Sequence, residues 1–77
     1  KATLLDLFAW SEEEFLQRTE GTAIRPSGHA RWLRNIAVAL GNAPTSEATV
    51  AALASRRDSE DPVVREHVEW ALERHGR

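Results

Sequence analysis

Two stretches of this chain repeat the same apolar pattern, and that repetition limits the fold more than any other feature of the sequence. In each stretch apolar residues recur every three or four positions, as they do along one face of an α-helix. A shift of 32 residues aligns the stretches, placing Trp32, Ile36, Ala39 and Leu40 on Val64, Val68, Ala71 and Leu72. A shorter amphipathic stretch precedes each one, so the sequence predicts paired helices of an α-solenoid.

Local signals predict an all-α chain of four to five short helices arranged as antiparallel pairs. No segment has the strict apolar–polar alternation of a half-buried strand. A helical turn is expected over residues 4–10, and a second helix begins at a capping box formed by Ser11 and Glu14 and ends before Gly21. Residues 21–28 contain two glycines and a proline and form a loop.

Three further helices are expected after this loop. The third runs from His29 to Leu40 and is stopped by Gly41-Asn42. The fourth is capped by Ser46 or Thr45, with Arg56 and Arg57 in its last turn, and its expected buried residues are Val50, Ala51, Leu53 and Ala54. The fifth begins at Asp61-Pro62, ends at His75-Gly76, and buries Val64, Val68, Ala71 and Leu72. The phrase Asp61-Pro62-Val63-Val64-Arg65, with Ala71-Leu72 downstream, resembles a short HEAT-like repeat.

Composition narrows the chemistry available to the chain. Its 77 residues form one domain, residues 1–77, and include no cysteine, so disulfides, thiolate metal sites and cysteine nucleophiles are excluded. No apolar run approaches the ~20 residues that cross a bilayer, and no membrane contact is expected. The three histidines include no i, i+4 pair, and we interpret His67 and His75 as solvated helix residues rather than metal ligands. No catalytic, cofactor-binding or metal-binding residue is predicted.

The charge distribution indicates a different kind of site. The net charge is −2, but residues 21–41 carry Arg25, Arg31 and Arg34 and no acidic residue. Arg31 and Arg34 share one helix face, which His29 and Asn35 can extend, and guanidinium groups suit an RNA backbone. Alternatively, these arginines pair with acidic residues of the second helix and the turn after it, or are simply solvated; the acidic residues are Glu12, Glu13, Glu14 and Glu20.

Two tryptophans also have alternative interpretations. Trp32 lies on the apolar stripe and is predicted to be core. Trp70 lies on a second stripe with Val63 and His67, where core or interdomain packing is favoured over stacking on a base.

Several phrases resemble the C-terminal region of bacterial epoxyqueuosine reductases. They are Leu7-Phe8-Ala9-Trp10, Thr19-Glu20-Gly21-Thr22 and the stretch from Leu33-Arg34-Asn35 through Gly41-Asn42. The resemblance covers nearly the whole chain and implies a fragment of a larger cytoplasmic iron–sulfur protein. That parent would be an oxidoreductase that reduces epoxyqueuosine in tRNA, in the last step of queuosine biosynthesis, with cobalamin and two 4Fe-4S clusters. The fragment itself would hold no cofactor.

The resemblance also implies a role and partners for this domain. It would help to hold the anticodon arm of the tRNA, and its other partner would be the iron–sulfur domain of the same chain, in a monomeric protein. Arg25, Arg34 and Asn35 inherit a place in the family pattern, while the sequence departs from it at Pro26-Ser27. The candidate tRNA-binding residues are Arg25, His29, Arg31, Arg34 and Asn35. The alternative function is a structural or protein-interaction HEAT-like domain that makes no contact with nucleic acid.

Overall fold

The computed structural model describes residues 3–77 and shows an all-helical chain. Its α-helices are α1 (Leu4–Phe8), α2 (Glu12–Arg18), α3 (His29–Gly41), α4 (Glu47–Ala54) and α5 (Pro62–Arg74), with a 3₁₀ turn at Arg25–Ser27. No strand occurs in the described residues. The predicted all-α class is therefore confirmed. Lys1 and Ala2, which the predicted domain includes, lie outside the described part of the chain.

Short polar side chains begin three of the helices, as the sequence predicts. The Ser11 and Ser46 hydroxyls accept from the backbone N–H groups three residues later, at 3.1 Å in both cases. The Asp61 carboxylate accepts from the N–H groups of Val63 and Val64 at 2.8 and 3.1 Å, and Pro62 occupies the first helical position. These bonds satisfy donors that have no partner inside a helix.

The capping box predicted at Ser11 is only half formed. The Glu14 carboxylate does not return to the Ser11 backbone but accepts from Arg18 Nε at 3.0 Å, one turn later. A complete box occurs at α1 instead, where Thr3 and Asp6 cap each other. The Thr3 backbone N–H donates to the Asp6 carboxylate at 3.0 Å, and this bond lowers the pKa of Asp6.

The core lies where α3 and α5 pack against each other. The predicted stripe of α5 is confirmed, because all four of its residues are buried, and the stripe of α3 contributes Leu33, Ile36, Ala37 and Leu40. Both helices have 13 residues and both follow a shorter helix, which fits the predicted repeat. The HEAT-like arrangement of these pairs stays a prediction.

The predicted buried face of α4 is mostly wrong. Leu53 is buried, but Val50 is half-buried, and Ala51 and Ala54 are exposed; the second buried residue is Thr49. The helix is apolar nearly all round, so its sequence does not indicate which narrow side meets the core. It ends at Ala54, and Arg56 and Arg57 therefore follow the helix rather than forming its last turn.

Side chains from distant parts of the sequence join α1 and α2 to this core. Arg56 donates from Nε and Nη2 to the Phe8 carbonyl at 3.1 and 2.8 Å, and from Nη2 to the Trp10 carbonyl at 2.8 Å. The Trp10 ring stacks on Trp32, with centroids 5.4 Å apart, and Phe15 lies at the same distance from Trp32. The half-buried Trp32 packs against the core and donates to the Leu7 carbonyl. These contacts fix the N-terminal helices beside α3.

Gly41 allows the closest approach between α3 and α5. A Cβ atom on this residue would lie 2.6 Å from Cζ3 of Trp70 and 3.1 Å from Cα of Ala71. The sequence predicts Gly41 as a helix stop, whereas it is the last residue of α3, and Asn42 is the C-cap. Its missing side chain therefore serves the packing between α3 and α5.

We expect Gly41→Ala to lower the free energy of unfolding by about 1 kcal/mol. Overpacking costs ~1–3 kcal/mol, against up to ~1 kcal/mol gained in helix propensity. Urea denaturation of the wild type and the variant measures the difference. In a Trp70→Leu background the loss should shrink, because the nearest obstructing atom is gone. A variant as stable as the wild type would contradict the close approach.

Candidate nucleic-acid interface

The predicted cations lie on the side of α3 that faces away from the core. Arg31 and Asn35 are exposed and Arg34 is half-buried, whereas Ile36 and Leu40 of the same helix are buried in the core. This placement follows from 3.6 residues per turn, which puts positions three and four apart on one face. Arg25 is exposed in the 3₁₀ turn that packs against α3. We call Arg25, Arg31 and Arg34 the cationic face.

No acidic side chain neutralises the cationic face in the part of the chain that the structure describes. The ion pairs found among residues 3–77 are Arg18–Glu14 and Arg57–Glu69, both 3.0 Å long and both exposed. The predicted alternative, pairing with the acidic residues of α2, is therefore not what the structure shows for these arginines. Solvation of the helix is the other alternative, and it leaves their positive charge available to an anion.

The structure does not bring His29 together with the cationic face. Its ring points to the α1–α2 connection, where Nε2 donates to the Trp10 carbonyl at 2.9 Å and the ring centroid lies 5.5 Å from that of Phe15. Burial lowers the pKa of His29, although the Trp10 carbonyl favours the charged form. A contact between His29 and tRNA stays a prediction, while the observed geometry gives this residue a role in packing.

An apolar groove lies beside the cationic face, between α1, the loop before α3, and α3 itself. Its volume is about 460 Å³, and its wall includes Leu4, Ile24 and Trp32, with Arg31 and Asn35 also lining it. Leu4 and Ile24 are 43% and 45% exposed, so the groove presents apolar side-chain surface to solvent. The groove therefore combines apolar surface with one guanidinium and one amide.

Sequence reasoning missed this groove and also the role of Arg56. An isoleucine between polar loop residues was the available signal for the groove, because Ile24 belongs to no helical stripe. Arg56 lies 46 and 48 residues from the two carbonyls that it binds. No local pattern reports a contact over such a separation.

The remaining histidines, His67 and His75, are also engaged in hydrogen bonds. Nδ1 of His67 lies 2.8 Å from the Val63 carbonyl, one turn earlier on α5. His75, predicted to be solvated, is buried at 7% exposure; Nε2 donates to the Leu40 carbonyl at 2.7 Å and Nδ1 accepts from the Thr45 hydroxyl at 2.6 Å. Within residues 3–77 no group of three or more His, Asp or Glu side chains is placed to hold a metal ion.

Two further surfaces differ from the cationic face in character. A polar cleft of about 420 Å³ near Arg56 includes Glu12, His29, Asp58 and Glu60. A shallow apolar hollow between α3 and α5 is formed by Val38, Glu66, His67 and Trp70, and Trp70 is 39% exposed. In the described residues, the helices are too short and too polar for any of them to cross a bilayer.

Known proteins match this chain over almost its full length. The epoxyqueuosine reductase of Xanthomonas campestris is 68% identical over 75 residues, which are 97% of this chain and 21% of that protein. The Pseudomonas aeruginosa enzyme is 60% identical over the same number of residues and the same shares, and the Escherichia coli enzyme is 62% identical over 90% of this chain and 18% of its own length. No protein-family model matches the chain. No solved structure shows a significant match either.

The fold and the site define a small all-α domain of short helices, with a cationic face that forms no ion pair within residues 3–77. By sequence, the chain matches a segment of the epoxyqueuosine reductases, with 55–68% identity over 90–97% of its length. The predicted resemblance is thereby confirmed. The chain spans about a fifth of the length of the curated relatives that it matches.

Proposed function

We propose that this chain is the C-terminal HEAT-like domain of an epoxyqueuosine reductase and that it assists binding of the tRNA substrate. The relatives' name supports a parent that reduces epoxyqueuosine. In this proposal that reduction is the last step in making queuosine in tRNA. In this proposal the domain is non-catalytic and works in the cytoplasm, in a monomeric protein, beside the iron–sulfur domain of the same chain. Residues 1–77 form a single domain of that parent.

The iron–sulfur clusters of the proposed parent do not fit this segment. Iron–sulfur clusters are held by cysteine thiolates, and the sequence has no cysteine. The two 4Fe-4S clusters would therefore bind elsewhere in the parent, and the proposal places cobalamin outside this segment as well. The contribution of residues 1–77 would be to bind and orient the substrate.

The observation that carries the tRNA-binding role is the cationic face. Arg25, Arg31 and Arg34 present positive charge with no ion-pair partner in the described residues, and no acid interrupts residues 21–41. Phosphate oxygens of an RNA backbone complement such a surface, and guanidinium groups bind them in pairs of hydrogen bonds. The proposal places Asn35 beside the arginines and His29 behind them, in the packing with Trp10 and Phe15.

We expect the chain to bind an anticodon stem-loop with an affinity that falls as salt rises. Each phosphate contact contributes about 0.7 to the slope of log K against log salt for single strands, so Arg31→Ala plus Arg34→Ala should reduce the slope by roughly 1.4. Affinity at low salt should fall about tenfold. Fluorescence anisotropy at two salt concentrations measures both quantities.

A matched control removes two charges elsewhere. The Arg57→Ala plus Arg77→Ala variant has the same net charge as the test variant, but both substitutions are on exposed residues outside the cationic face. It should bind like the wild type if position matters, and like the test variant if net charge alone decides. The latter result, or no binding at low salt, would contradict the proposed interface.

A second candidate function is a structural or protein-interaction domain that makes no contact with RNA. The hollow around Val38 and Trp70 favours it, because two large apolar side chains there are 38% and 39% exposed. If the stem-loop experiment shows no binding at low salt, this function becomes the better description of the domain.

A further inference from the structure

We propose that the groove between α1 and α3 receives one unpaired RNA base, while Arg31 binds a phosphate next to it. This inference rests on the proposed function and specifies what the same surface recognises. The groove's volume of about 460 Å³ lies within the range of ~300–1,000 Å³ typical of small-ligand sites. This volume is large enough for one flat heterocycle.

The chemistry of the lining matches a base and its backbone. Leu4, Ile24 and Trp32 offer apolar surface to the faces and edges of a heterocycle. Asn35 carries both a donor and an acceptor, as base edges do, and among residues 3–77 Arg31 is the charged residue of the lining. A nucleotide is apolar on the base faces and anionic at the phosphate, so it complements this arrangement.

The groove selects unpaired over paired RNA on geometric grounds. In an A-form duplex the bases are stacked inside, and the accessible minor groove presents only their edges and the 2′-hydroxyls. Insertion of a base into the groove needs a nucleotide that can leave the stack, as loop nucleotides do. Arg25 and Arg34, which do not line the groove, remain available for phosphates on either side.

Charge favours a nucleotide over an apolar segment of protein as the occupant of the groove. Residues 21–41, which supply most of the groove's wall, carry three arginines and no acid. A purely apolar segment gains nothing from Arg31, whose guanidinium would lose water without a partner. A phosphate supplies that partner.

The test uses this chain with two RNA probes, an anticodon stem-loop and a blunt duplex with the same number of phosphates. The groove variant is Leu4→Ala plus Ile24→Ala, which changes two side chains that are both more than two-fifths exposed and keeps every arginine. The control variant is Leu16→Ala plus Val63→Ala, which truncates two apolar residues of 37% and 38% exposure outside the groove.

We expect the groove variant to bind the stem-loop about tenfold more weakly than the wild type, with unchanged affinity for the duplex and an unchanged salt slope. The control variant should match the wild type on both probes. If the double groove variant is less stable in urea, Ile24→Ala alone should show the same preference, because this loop residue lies outside the core cluster.

Each other outcome overturns a specific part of the inference. Wild-type affinity of the groove variants for the stem-loop, with weaker binding by Arg31→Ala plus Arg34→Ala, leaves the proposed function intact and removes the base site. An equal loss on both RNAs by stably folded groove variants also removes the base site. If the wild type binds neither RNA at low salt, the proposed function fails and the base site fails with it.

Discussion

Replacing Arg56 by alanine is expected to lower the free energy of unfolding by about 3 kcal/mol. Its guanidinium makes three hydrogen bonds to the Phe8 and Trp10 carbonyls, and bonds to a charged donor contribute ~1.5–3 kcal/mol each. The expected loss is nearer to one strong bond than to three, because the Trp10 carbonyl keeps its bond to His29 and water can replace part of the rest. Burial lowers the pKa of Arg56, but an arginine stays charged at any ordinary pH.

Urea denaturation measures the total effect of Arg56→Ala, and hydrogen exchange locates it. We expect amide protection to fall first in α1 and α2, since Arg56 connects the segment between them to the rest of the chain. Arg57→Ala is the matched control, because its exposed pair with Glu69 contributes ~0–1 kcal/mol. Arg56→Lys should lie between alanine and the wild type, as one ammonium group cannot reproduce the fork of the guanidinium. Equal stability of Arg56→Ala and Arg57→Ala would contradict a stabilising role for the bonds from Arg56 to the Phe8 and Trp10 carbonyls.

His75→Ala is expected to lower the free energy of unfolding by about 2–3 kcal/mol. The ring is buried and both nitrogens are used, Nε2 toward the Leu40 carbonyl and Nδ1 toward the Thr45 hydroxyl. Alanine would leave a cavity and remove both bonds. The Leu40 carbonyl retains donors from the following turn, including the Ala43 N–H, and this limits the loss.

Thr45→Val separates the two hydrogen bonds of His75. Valine has nearly the volume of threonine but no hydroxyl, so it removes the bond to Nδ1 and leaves the bond to the Leu40 carbonyl. We expect a loss of about 1 kcal/mol by urea denaturation. In the double variant with His75→Ala the two losses should be less than additive, because both substitutions break the same bond. Full additivity would show that the Thr45–His75 contact adds no stability.

Sequence reasoning succeeded where short-range chemistry decides the structure. Ser11, Ser46 and Asp61 cap the helices they precede because their side-chain acceptors reach backbone donors two or three residues away. The apolar stripes of α3 and α5 were predictable because a clear polar face fixes which side turns inward. It failed on α4, where an alanine-rich helix offers no such contrast, and on Arg56, whose partners are remote in sequence.

The candidate site shows the same contrast between placements that follow from local sequence and contacts that depend on tertiary packing. Arg31, Arg34 and Asn35 were expected on one face, and helical periodicity alone puts them there. His29 is close to them in sequence, yet its ring turns the other way to meet Trp10 and Phe15. The groove depends on how α1 and the loop before α3 approach each other, which no periodicity encodes.

The hydrogen bonds from Arg56 to the Phe8 and Trp10 carbonyls also determine when the N-terminal helices can be anchored during synthesis of the protein. Phe8 is made 48 residues before the guanidinium that binds its carbonyl. At roughly 5–20 residues per second, α1 leaves the peptidyl-transferase centre roughly 2–10 s before its anchor exists. A short helix is only marginally stable alone in water. The N-terminal helices therefore form and unfold reversibly until the second half of the chain has been made. The N-terminal helices are therefore anchored only after the chain has been made as far as Arg56.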